Sequence, residues 1–159
     1  MSRAIAVLRL FFGVVYFTNG LAKIVPGIAH GPGGYFLIDS ESAKHILEHD
    51  SAHHPVLLYH DLVVNLLLPN WSIFGPLVGV TEMTAGALLI LGLAAGAGAL
   101  LAALLALHTQ FFDATGPWLY EYAVEWVPLL CLVFMKAGTT WGLDARIAAG
   151  NPRWRRLFA

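Results

Sequence analysis

The sequence predicts an all-α protein, a bundle of four membrane-spanning helices forming one domain over residues 1–159. Three observations carry that reading. The composition is 58% hydrophobic and only 12% charged, where a soluble domain carries about 25% charged residues, and the mean hydropathy is +0.69. The apolar residues fall in blocks of about 20, the length that crosses a hydrocarbon layer about 30 Å thick. Ionisable side chains sit inside those blocks, Glu82 foremost. A carboxylate at the middle of a span costs roughly 2.5–3.5 kcal/mol on insertion scales unless it is paired, protonated or facing a polar cavity.

The first span covers residues 5–25. Arg3 ahead of an apolar stretch has the look of a signal peptide. However, Arg9, Asn19 and Lys23 interrupt the run, it is longer than an h-region, and no cleavage pattern follows, so a retained helix is expected. The outer connection, 26–73, holds two shorter elements. Asp39 or Ser40 is placed to cap a helix running to about Asp50. Pro55 then opens the apolar run 56–68, too short to span a bilayer and expected as an interfacial or re-entrant helix over the outer mouth. The second span, 74–93, and the third, 95–112, are separated by a Gly/Ala-rich turn and form an antiparallel hairpin. Asp113-Ala-Thr-Gly-Pro117 is a turn by composition and leads to the fourth span, 119–136. Cys131, the sole cysteine, falls within that span and is expected as a small buried apolar residue; alone it excludes an intramolecular disulfide and a Cys-x-x-Cys redox pair.

Lys/Arg placement sets the orientation. Arg3 and Arg9 open the chain, and Arg146, Arg153, Arg155 and Arg156 follow the fourth span. The connection 26–73 is acidic on balance, with Asp39, Glu41, Glu48, Asp50 and Asp61 against Lys44. Both termini are therefore expected on the cytoplasmic side. A net charge of -1 makes no case for nucleic acid, and the bilayer is the first partner the composition implies.

Helical spacing puts Arg9, Gly13, Tyr16, Gly20 and Lys23 on one stripe of the first span, and Gly75, Gly79, Glu82 and Gly86 on one stripe of the second. Small residues on such stripes let helices approach closely. At the helical rise, Lys23 lies roughly 3 Å and Asn19 roughly 9 Å below the outer end, with Glu82 at roughly 12 Å, His108 at roughly 6–8 Å and Glu125 at roughly 9 Å; Glu121 lies higher. These depths predict one polar cluster in the outer half. It has two readings: internal ion pairing that fixes helix register, or a site that binds a polar headgroup or passes protons. In the second, Glu82 and Glu125 carry protons, and Tyr16, Asn19, Lys23, His108 and Glu121 contact the ligand. No metal is assigned there, since no span carries a Glu-x-x-His pair. His45, His49 and His53 in the outer connection have helical spacing that suits a metal, and a solvated helix face accounts for the same pattern. Nucleotide, haem-attachment and nucleophile-elbow motifs are absent from the sequence.

Leu8-Arg9-Leu10-Phe11-Phe12-Gly13 with Asn19-Gly20-Leu21-Ala22-Lys23 resembles the opening helix of the DoxX-type membrane proteins. Gly79-Val-Thr-Glu82 leading to Gly86 and Gly92 is similar to the second helix of that family, and Gly138-Thr-Thr-Trp-Gly-Leu-Asp144 to its closing Gly–aromatic–Asp segment. The long, histidine-rich outer connection departs from the pattern, as does the turn after the second helix, which lacks the basic residue often found there. The resemblance implies a four-helix bundle in the bacterial cytoplasmic membrane. It further implies a quinone as ligand, a role as membrane subunit of an oxidoreductase, and a membrane or periplasmic protein partner. A non-catalytic accessory subunit and a small-solute carrier stand as alternatives.

Overall fold

The computed structural model describes residues 3–30, 37–52, 54–112 and 123–150. Among them every regular element is helical, and seven α-helices follow in order: α1 (Arg3–Ile24), α2 (Ser40–Ala52), α3 (Leu57–Leu62), α4 (Trp71–Leu91), α5 (Ala95–Phe112), α6 (Ala123–Phe134) and α7 (Leu143–Gly150). Short 3-10 turns lie at Ile28–His30 and Ala137–Thr139. Two of the described helices, α1 and α4, are long and apolar enough to cross a membrane.

The deepest packing joins α1 to α4, and glycine makes it possible. A Cβ on Gly20 would stand 2.5 Å from the Gly79 carbonyl oxygen, and one on Gly79 would stand 3.0 Å from the Gly20 carbonyl oxygen. One on Gly86 would collide with the Phe17 backbone. The two backbones therefore run in direct contact, antiparallel, as the small-residue stripes require. Helix α5 packs against α4 and α6 and contributes a seam of fully buried alanines, Ala99, Ala102 and Ala103, facing Leu89, Leu129 and Leu132. Alanine keeps these axes close at little side-chain entropy cost.

Gly92 ends α4 in the left-handed conformation, φ 60, with the Leu93 N–H reaching back to the Leu88 carbonyl. This is the closure that lets a helix stop and the chain reverse, and α5 begins three residues later. At the other end of α4, Asp39 caps α2 by accepting from the Ser42 N–H at 2.8 Å. The Trp71 indole N–H, held between the Ser40 hydroxyl (3.0 Å) and carbonyl (3.2 Å), pins α2 across the start of α4.

The run 56–68 forms α3 and continues as a π-helical turn over Val63–Leu67. Tyr59 and Val63 turn inward, while Leu57 and Leu58 are 75% and 81% exposed. Helices α2 and α3 thus cap one end of the bundle, and α7 lies at the other. Of the expected fourth span, α6 covers Ala123–Phe134, and residues 119–122 lie outside the described residues. Cys131 is corrected by the structure: it is exposed, because it follows the buried Leu129 by two residues and so faces away from the core.

Candidate functional site

The stripe expected on α1 is its buried face: Arg9, Gly13, Tyr16, Gly20 and Lys23 are all buried. Towards the capped end this stripe borders a cavity of about 230 Å³. Tyr16, Asn19 and Lys23 from α1, Glu82 from α4, Thr109 from α5 and Glu125 from α6 supply its polar lining. Val15, Leu105, Ala106 and Ile38 supply the apolar lining, the last from the segment leading into α2.

Lys23 and Glu82 form an ion pair at 2.8 Å, with side chains only 5% and 15% exposed. The glycine contacts of α1 and α4 are what bring the two backbones near enough for this bridge. Removing one member of such a buried pair costs about 3–5 kcal/mol, because the other is left charged and unpaired. Glu125 stands in a different setting. The Tyr16 hydroxyl lies 3.0 Å from the Ala102 carbonyl oxygen and 3.4 Å from Glu125 Oε2. A phenol has one hydrogen to donate, so Tyr16 serves the carbonyl or the carboxylate, and the shorter distance favours the carbonyl. The site therefore holds two carboxylates, Glu82 on α4 paired with the Lys23 ammonium and Glu125 on α6 beside the Tyr16 phenol.

Asn19 lines the cavity, yet its amide is engaged by the backbone. Nδ2 donates to the Val15 carbonyl at 3.0 Å, and Oδ1 accepts from the Ile38 N–H at 2.9 Å. It acts as a latch that holds the segment before α2 across the mouth. His108 is not among the residues lining the cavity: it is exposed, and Leu105, Ala106 and Thr109 are the α5 residues that turn inward. Glu121 and His53 lie outside the described residues. His45 and His49 are exposed on α2, 3.4 Å from Glu48 and 3.3 Å from Asp50 respectively. Among the described residues no group of three or more His, Cys, Asp or Glu side chains is placed to hold a metal ion.

A second polar cluster occupies the opposite end of the bundle. Arg9, fully buried, donates from Nη1 to the carbonyls of Ala137 (2.7 Å) and Thr140 (3.1 Å) and from Nη2 to that of Trp141 (3.2 Å). Asp144 accepts from the Ala94 and Ala95 N–H groups, at 2.7 and 3.1 Å, and so caps α5. Its own N–H donates to the Gly92 carbonyl at 2.9 Å. Arg9 and Asp144 act in the same cluster through the backbone rather than by a direct salt bridge, Arg9 holding the 137–141 carbonyls and Asp144 the start of α5. Gly138 and Gly142 are required here, since a Cβ on Gly138 would strike the Asp144 carboxylate and one on Gly142 would stand 2.7 Å from Arg9 Nη1. The sequence holds one signal for this cluster. A stripe with a cation at each end, four helical turns apart, needs two separate sets of acceptors.

No family model, curated protein or solved structure matches the chain.

Proposed function

We propose that this chain is a DoxX-like membrane protein in which α1, α4, α5 and α6 span the bilayer, both termini on the cytoplasmic side. Its cavity then binds the headgroup of a quinone or similar amphiphile, and the chain serves as the membrane subunit of an oxidoreductase in the bacterial cytoplasmic membrane, beside a membrane or periplasmic partner. The observation that carries the reading is the gathering of Tyr16, Lys23, Glu82 and Glu125 around one cavity between otherwise apolar helices. Ionisable groups so placed are costly, and they mark binding or proton pathways more often than packing.

The chemistry of the lining fits a quinone. Lys23, whose ammonium has hydrogens beyond the one given to Glu82, is a donor suited to a carbonyl oxygen, and the two carboxyl groups can give protons to a quinone as it is reduced or take them from a quinol as it is oxidised. Size narrows the ligand. A volume of about 230 Å³ is below the roughly 300–1,000 Å³ of pockets that enclose a drug-sized molecule. The cavity therefore takes a ring and its oxygens, and any isoprenoid tail lies outside it, along the apolar helix faces. The bound ligand would supply the redox chemistry; the side chains orient it and hold its protons.

One observation favours the accessory-subunit reading instead. Lys23 and Glu82 already satisfy one another at 2.8 Å, as a pair that only sets helix register would. Quinone content of protein purified natively in mild detergent separates the two. Wild type should carry quinone, and Glu82→Gln and Glu125→Gln should lose it while the protein stays folded. Equal quinone in all three, or none in any, would favour the accessory role.

A further inference from the structure

At the end of the bundle opposite the cavity, the described residues carry exposed cations, Arg3, Lys136 and Arg146, while the one acid there, Asp144, is buried and engaged as the cap of α5. The capped end is the reverse, with Asp39, Glu41, Glu48, Asp50 and Asp61 around Lys44. The charge separation inferred along the sequence is thus a separation in space.

Two further facts single out the segment between α6 and α7. Trp141 is held at φ 54 and Lys136 at φ 48, conformations that side chains other than glycine rarely adopt. The Arg9 guanidinium donates to the Trp141 carbonyl, so the buried cluster holds the strained backbone in place. The strain does not bury the indole: Trp141 is 62% exposed, and at the end of α6 Phe134 is 82% and Met135 44% exposed. Strain maintained by a buried network so that an aromatic ring and a cation face outward points to recognition rather than packing. An exposed indole in one short stretch of chain with an exposed lysine and arginine is the chemistry of a membrane–water boundary.

We infer that Lys136, Trp141 and Arg146 form a seat for anionic phospholipid headgroups, the indole lying at headgroup level and the two cations meeting the phosphates. This rests on the membrane placement proposed above and is independent of the quinone reading. A cation near an anionic lipid surface contributes about fivefold in affinity, so losing both should reduce the preference by roughly 25-fold.

The test uses the full chain reconstituted in vesicles whose phosphatidylglycerol or phosphatidylcholine carries brominated acyl chains. Trp141 emission is isolated as the difference between wild type and Trp141→Phe. Brominated phosphatidylglycerol should quench that emission at far lower mole fraction than brominated phosphatidylcholine. Lys136→Asn/Arg146→Gln should bring the two lipids to the same curve; asparagine tolerates the left-handed backbone at 136. Equal quenching in wild type, or an undiminished preference in the double variant, overturns the seat and leaves the membrane placement standing. Failure of the protein to enter vesicles of either lipid overturns both.

Discussion

Replacing Arg9 by methionine tests whether the buried cluster far from the cavity holds the molecule together. The side chain is fully buried and donates three hydrogen bonds, at 2.7, 3.1 and 3.2 Å. Hydrogen bonds from a charged donor contribute about 1.5–3 kcal/mol each, but bonds sharing one guanidinium are not additive. Removing one member of a buried charged network costs about 3–5 kcal/mol, and that is the loss expected here. Methionine fills much of the volume, so the loss reports unpaired carbonyls rather than a cavity. Arg9→Lys should recover less than half of it, because an ammonium is a point charge and cannot reproduce the fork that spans three carbonyls. The assay is unfolding of the detergent-solubilised protein with increasing dodecyl sulfate, followed by circular dichroism. Lys23 lies fourteen residues further along α1, roughly 21 Å away at the helical rise, so ligand content per folded molecule should not change. An Arg9→Met variant within about 1 kcal/mol of wild type would refute the reasoning, because a charge that costs so little to remove is not offset by its carbonyls.

The Lys23–Glu82 pair should be energetically coupled. Lys23→Met alone should lose about 3–5 kcal/mol and the double variant Lys23→Met/Glu82→Leu clearly less; equal losses would mean that the pair is not buried as a unit. Gly86→Val should separate α1 from α4 and cost about 1–3 kcal/mol or more through overpacking, and an unchanged dodecyl sulfate midpoint would contradict the backbone contact at Phe17. In a Cys131→Ser background, His49→Cys and Arg146→Cys should react with a membrane-impermeant thiol reagent from opposite faces, and labelling of both from one face would contradict the proposed topology. Protein purified without an affinity tag should hold no stoichiometric zinc, copper or iron; metal that disappears in His45→Ala/His49→Ala would establish a site on α2.

Parts of this architecture are legible in the residue order, and the parts that are not share a physical cause. The α1 stripe is the helix's buried face because a period of 3.6 residues fixes which side chains align. Depth along each helix places Lys23, Glu82 and Glu125 in the same half of the bundle, and in the structure the three line one cavity. Depth says nothing about direction around the axis, so His108 has the right height on α5 and lies beside the cavity rather than on its wall. Asn19 has the right position, but its amide is taken by backbone groups, one of them at Ile38, that leave no mark on residue identity. Where Arg9 binds is hidden for the same reason. Its partners are main-chain carbonyls 128 to 132 residues downstream, and any residue type provides a carbonyl.

That sequence separation also governs the order in which the molecule is completed. Arg9 leaves the ribosome 128 to 132 residues before the carbonyls that receive it, which come after α6. At about 5–20 residues per second, translation leaves roughly 6–26 s between the two. Throughout that interval the guanidinium must be solvated by water, lipid phosphate or a chaperone, and the α4–α5 hairpin is made before its Asp144 cap. The segment after α6 is therefore the one that locks α1, and a chain interrupted after α6 would present an unsatisfied cation to whatever machinery inspects unfinished proteins.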